Sequence, residues 1–294
     1  MDFLTGYFIS MNAMDVITEI VKKMIEIFQY EFMRNAMLTG LLVSIACGIV
    51  GTLVVVNRLA FLAGGVAHAA YGGLGLSAFM GWAPMVGTVP FSIVASLIMG
   101  YILRNNKDRA DTVIGVMWAV GMAIGIILID LKPGYFVDLM SYLFGSIMAV
   151  SSGSLFWMVL LNLGIIISVV VLYKEILGMS YDEEFAAISG IPVKLLYYVI
   201  LVMVAFTIVM LIKAVGLILV IALFTIPASI AGMFTNDLKR MMMFSVLLSA
   251  LFTTGGLILA YYLNLTAGAT IILFACAGFG IAYAGKRINA SKAE

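Results

Sequence analysis

Apolar stretches about as long as a bilayer is thick follow one another along this chain, with only short polar breaks between them. Nine can be drawn: Ala36–Val56, Arg58–Gly81, Met85–Leu103, Thr112–Ile129, Leu155–Tyr173, Leu195–Ile212, Val215–Phe234, Met241–Tyr262 and Thr266–Ala284. A rise of about 1.5 Å per residue carries about 20 residues across a hydrocarbon core of about 30 Å. Within lipid every backbone N–H and C=O must find its partner inside the protein, which an α-helix provides. The expected fold is all-α, a polytopic membrane bundle of about 8–9 transmembrane helices. Only 11% of the 294 residues are charged, well below the roughly 25% of soluble domains. A net charge of +1 points to no nucleic-acid partner.

Two segments break the pattern. In residues 1–35, Val16, Ile20, Met24, Ile27 and Phe28 share one side and charges the other, which predicts an interfacial amphipathic helix lying on the membrane. Phe136–Val150 is long enough for only about half a bilayer, so a re-entrant or short helix buried in protein is expected there. The transmembrane domain then covers 36–285, and 286–294 form a short tail. Lys213 either ends a helix by snorkelling, the favoured reading, or marks a discontinuous helix beside a path. Eleven of the sixteen Lys and Arg residues fall on one side of this topology and five on the other. That bias predicts a cell-membrane protein with the N-terminus outside and the C-terminus cytoplasmic.

The second stretch carries the only histidine, His68. Gly64, His68, Gly72 and Gly75 fall at i, i+4, i+8 and i+11, on one helix face. An ionisable group at membrane depth is costly, and where it persists it lines a pathway. The plainer alternative is that the glycines admit a neighbouring helix and His68 hydrogen-bonds across that contact. Gly121 and Gly125 form a GxxxG pair suited to such packing. On the basic side, Glu184, Ala186, Ala187 and Gly190 give E-x-A-A-x-x-G within residues 180–192. A short helix should start after Ser180, be favoured by Asp182, Glu183 and Glu184, and stop at Gly190 and Pro192. Its alanines offer a low knob for another protein's groove.

Other chemistry is excluded. Gly280 to Arg287 matches G-x-x-x-x-G-K but ends in Arg where a phosphate-binding loop needs Ser or Thr. No nucleotide site, resident cofactor or catalytic constellation is expected in this chain. The two cysteines, Cys47 and Cys276, both sit in apolar runs.

The histidine stretch, the Ser180 segment, Tyr142–Val150, Lys213–Phe234 and the opening Phe28–Leu42 together resemble the zinc/manganese/iron permease family of ABC importers. The resemblance implies a homodimeric permease that binds two copies of a cytoplasmic ATP-binding subunit through a coupling helix at Glu184–Gly190. It also implies metal, zinc or manganese, delivered by an extracytoplasmic metal-binding protein and passing His68, with ATP held by the partner. The family commonly has an aspartate four residues before this histidine, where this chain has Gly64. Asp130 and Asp138 are then candidates for the missing charge on the metal pathway, or the cargo is a chelate. The plain reading of both aspartates is solvation at the membrane edge. A secondary transporter or channel independent of ATP is the competing class.

Overall fold

The computed structural model describes residues 30–105, 110–132, 145, 147, 150 and 152–291. The expected interfacial segment before Tyr30, Asp138 and most of Phe136–Val150 lie outside the described residues. In chain order the helices are α1 (Glu31–Val56), α2 (Ala60–Met80), α3 (Pro84–Asn105), α4 (Ala110–Asp130), α5 (Ser152–Val171) and α6 (Tyr173–Tyr181). They continue with α7 (Glu183–Ile188), α8 (Val193–Val215), α9 (Leu217–Phe234), α10 (Leu238–Leu263) and α11 (Ala267–Ser291). Among the described residues there is no strand.

Every one of the nine apolar stretches lies on a helix of its own. Seven of these helices are long and apolar enough to cross a membrane: α1, α3, α4, α5, α8, α10 and α11. The other two depart for different reasons. At 18 residues α9 is short. The 21 residues of α2 are long enough, but its glycines and His68 lower its hydropathy. Most of α2 is enclosed by neighbours, so it does not need the apolar surface that a lipid-facing helix presents.

The main core lies where α1, α2, α8 and α9 meet, around Val50, Leu53, Val66, Leu201, Val204 and Phe224. The surrounding helices α4, α5, α10 and α11 turn large apolar side chains outward, among them Ile127, Trp157, Leu247 and Ile281. In water such a surface would aggregate; in a bilayer it meets acyl chains.

One device ends four of the helices. Arg58, Gly81, Gly190 and Asn264 all have positive φ. The next residue's N–H reaches back to the helix in each case: Leu59 to Val54, Trp82 to Ser77, Ile191 to Ala186 and Leu265 to Ala260. This left-handed stop satisfies carbonyls that the last turn leaves unpaired.

Lys213 does not introduce a surface loop. It lies in the last turn of α8, and Gly216 alone separates α8 from α9. Ile212, Ala214, Val215 and Leu217 around it are buried, so the break lies inside the protein. The break is a one-residue interruption made by a glycine at φ 79°, and α8 ends two residues after Lys213. A side chain on Gly145 would collide with the backbone of Gly216, and Ile147 is buried in the main core. At these two residues the Phe136–Val150 piece lies against the bundle, as expected for a segment covered by protein.

Candidate functional site

His68 lies in the middle of α2 with its ring only partly exposed. Its Nδ1 is 2.8 Å from the Gly64 carbonyl oxygen. A carbonyl can only accept, so Nδ1 carries the proton and donates. Nε2 is then left with its lone pair, the tautomer that binds a cation through Nε2. The indole of Trp118 on α4 stacks on the imidazole, with centroids 3.6 Å apart and planes 23° from parallel. One hydrogen bond and one aromatic face thus fix the ring. The histidine bonds to its own helix and not across a helix contact, unlike the plainer alternative.

The glycines divide by role. Ideal Cβ atoms on Gly121 and Gly125 would lie 2.6 Å from Ala69 Cα and 2.5 Å from Tyr71 O. One on Gly72 would lie 2.9 Å from Gly121 O, and one on Gly75 would collide with Gly125. Paired positions ascend together along the two chains, so α2 and α4 run parallel, backbone against backbone. Gly72 and Gly75 therefore seat α4 through its GxxxG pair. Gly64 faces α9, where a Cβ would meet Ile221 Cδ1 at 3.1 Å. The space next to the imidazole that an acidic side chain would need is occupied by an isoleucine.

Asp130 is not brought to His68. It is the last residue of α4 and exposed, twelve residues beyond Trp118 on the same helix, or about 18 Å along its axis. Its placement matches solvation at the membrane edge. Asp138 lies outside the described residues. Among the described residues no group of three or more His, Cys, Asp and Glu side chains could hold a metal ion. Among the described residues the one candidate ligand in the middle of α2 is thus the imidazole nitrogen of His68.

At one end of the bundle α6 and α7 form a separate platform. Ser180 belongs to the last turn of α6, and the expected helix starts after it, at Glu183. Asp182 caps it by accepting from Phe185 N at 2.9 Å. Gly190, at φ 83°, ends the turn that follows, and Pro192 precedes α8. Ala186 is buried beside Gly178, so it packs inward. Glu184 and Ala187 are exposed, and beside them Phe185 and Ile188 stand out at 67% and 87% exposure.

The platform is tied to several spans. Arg104, at the end of α3, pairs with Glu183 at 3.0 Å and lies over the Tyr197 ring of α8. Asn57 Nδ2, in the turn between α1 and α2, donates to Ser180 Oγ at 3.3 Å. The Tyr181 hydroxyl donates to the Asn236 carbonyl in the turn between α9 and α10. Sequence reasoning missed Trp118, Ile221, Phe185, Ile188 and these ties. Its position three residues before the GxxxG pair placed Trp118 on the packing helix but did not mark His68 as its neighbour.

Comparison with known proteins places this arrangement. The profile of the ABC 3 transport family matches residues 29–285, nearly the whole chain. The chain belongs to the ABC 3 transport family. This ABC 3 family protein is 48% identical to the uncharacterized membrane protein slr2045 of Synechocystis, over 91% of its own length and 95% of the relative's. It is 33% identical to the manganese transport system membrane protein MntC of Listeria monocytogenes, over 87% and 91% of the two chains. Among solved structures it resembles a chain of PsaBC from Streptococcus pneumoniae in complex with Fab, with TM-score 0.81 and 30% identity. That match covers 90% of this chain and 95% of the other.

Proposed function

We propose that the chain is the membrane-spanning permease subunit of an ATP-driven importer for a divalent transition metal, manganese before zinc. The observation that carries this reading is His68, a mid-span imidazole with Nδ1 engaged and Nε2 left to a cation. A relative named for manganese transport supports the choice of cargo. A neutral imidazole suits first-row divalent metals, and a single nitrogen per subunit binds loosely enough to release its cargo. Pairing of two copies would bring two such nitrogens to one path, which is why a homodimer belongs to the reading.

In this reading a separate cytoplasmic ATP-binding subunit hydrolyses ATP and docks on α7. Phe185 and Ile188 are the groups exposed there to enter an apolar groove, with Ala187 between them and Glu184 at the edge. The α7 end also gathers Arg58, Arg104, Lys174, Lys194, Lys239 and Arg240, which supports a cytoplasmic face there and the N-terminus outside. The opposite face receives metal from an extracytoplasmic binding protein. Membership of the ABC 3 transport family favours this reading over a secondary transporter or channel.

One observation favours a second cargo. With Ile221 beside Gly64, no carboxylate among the described residues groups with the imidazole to hold a metal, and a metal carrying its own anionic ligands would not need one. The experiment is uptake by proteoliposomes holding the chain and its ATP-binding partner. Free manganese should enter only with ATP and should be lost in His68→Ala. Uptake of a chelate in preference to the free ion would select the second cargo, and uptake without ATP would discard both.

A further inference from the structure

Between α1, α5 and α10 an apolar groove of 680 Å³ opens on the surface of the bundle. Ile45, Ile49, Val169, Met243 and Leu247 line its length, and Tyr173 and Lys239 are its only polar lining residues. Both lie at the end of the bundle that carries α7. From Lys239 to Leu247 the groove follows eight residues of α10, about 12 Å. That is less than half of a hydrocarbon core of about 30 Å, so the groove belongs to one leaflet. A spanning helix of a partner would need the full thickness, whereas one lipid tail does not.

The mouth carries the charge. Lys239 is exposed, with Arg240 beside it and Lys174 next to Tyr173, and none of the three forms an ion pair with another described residue. Two carboxylates are near. Asp237 caps α10 by accepting from Arg240 N at 2.8 Å, and one oxygen of Glu175 is buried. Three cations against two carboxylates, one of them committed to a helix cap, leave the mouth positive. Basic pockets between membrane helices at the headgroup level attract anionic lipids.

We infer that this groove holds one tail of an anionic phospholipid from the leaflet on the α7 side, with its phosphate at Lys239 and the Tyr173 hydroxyl. The occupant is a lipid headgroup and not free phosphate, because the apolar length of the groove contributes the rest of the binding. The site lies apart from His68 and does not depend on which cargo passes there.

The test is native mass spectrometry of the full-length chain in mild detergent, offered equal amounts of phosphatidylglycerol and phosphatidylcholine with identical tails. The unaltered chain should retain phosphatidylglycerol about fivefold over phosphatidylcholine, the attraction of one lysine at the surface. Lys239→Gln should bring the ratio near one while leaving the elution profile unchanged. Met243→Trp, which fills the groove from an exposed position, should lower retention of both lipids. Equal retention by the unaltered chain, or a ratio indifferent to Lys239→Gln, would overturn the proposal. Retention of both lipids unaffected by Met243→Trp would do the same, since the groove would then belong to another occupant such as residues 1–29 or a second copy.

Discussion

Trp118 on α4 lies face to face with His68 on α2 at 3.6 Å, and at its edge the imidazole is bonded through Nδ1 to Gly64 O. The pair sets ring orientation and tautomer together, which is what a transient ligand needs if it is to point the same nitrogen at each passing ion.

His68→Ala should reduce ATP-dependent manganese uptake by at least about tenfold, while the subunit still assembles with its ATP-binding partner. Trp118→Ala should lose about tenfold through the loosened ring, and Trp118→Phe, which keeps an aromatic face, should recover most of it. Radiolabelled uptake in proteoliposomes measures all three. Normal uptake by His68→Ala removes the site.

The acidic side chain absent at Gly64 can be supplied. Gly64→Asp alone should lower the yield of folded protein, because its Cβ meets Ile221 Cδ1 at 3.1 Å. Combined with Ile221→Ala it should fold and bind manganese more tightly than the parent. Equal metal affinity in the double variant, read by isothermal titration, would show that the carboxylate does not reach the ion.

Ile188→Glu and Phe185→Glu should each abolish stimulation of ATP hydrolysis by transport while leaving the chain folded, since both side chains already face outward. Ala187→Glu should act in the same direction. Ala186→Glu should instead unfold the platform, because that residue is buried. Coupled hydrolysis and uptake surviving Ile188→Glu would count against α7 as the docking helix.

Arg104→Glu should weaken coupling more than stability. The ion pair with Glu183 is partly exposed, at 31% and 55% for the two side chains, and such pairs contribute at most about 1 kcal/mol. The swapped pair Arg104→Glu with Glu183→Arg should restore coupling. A swap no better than either single change would assign the effect to the lost contact between Arg104 and Tyr197.

Gly125→Ala should destabilise the bundle by about 1–3 kcal/mol, the usual cost of forcing extra atoms into a filled contact. A fall in melting temperature should be accompanied by loss of uptake, because Trp118 moves with α4. Gly115→Ala, on the same helix with open space beside it, is the control and should change neither.

How much of this could be read beforehand depended on whether the signal was local. Span length is local, and all nine apolar stretches proved helical. The GxxxG pair is local too, and Gly121 and Gly125 do seat a neighbouring helix. The partner of His68 is not: fifty residues separate it from Trp118, and a tryptophan in a lipid-facing helix has no signature marking one neighbour. Ile221 was hidden for the same reason. Six residues gave α7 too short a period to tell Ala186, which packs inward, from Phe185 and Ile188, which face outward. Lys213 marked the neighbourhood of a helix end, and the interruption itself falls at Gly216 three residues later.

Between α2 and α4 the glycine contacts are backbone against backbone, flanked by the His68–Trp118 stack and by Tyr71 and Leu74 packed against Ile129. Parallel main chains pressed together at four glycines cannot slide or roll past one another in small steps. His68 and Trp118 therefore travel as a single rigid slab. A displacement reaching α2 through the Asn57–Ser180 tie is then carried to Trp118 as well as to His68.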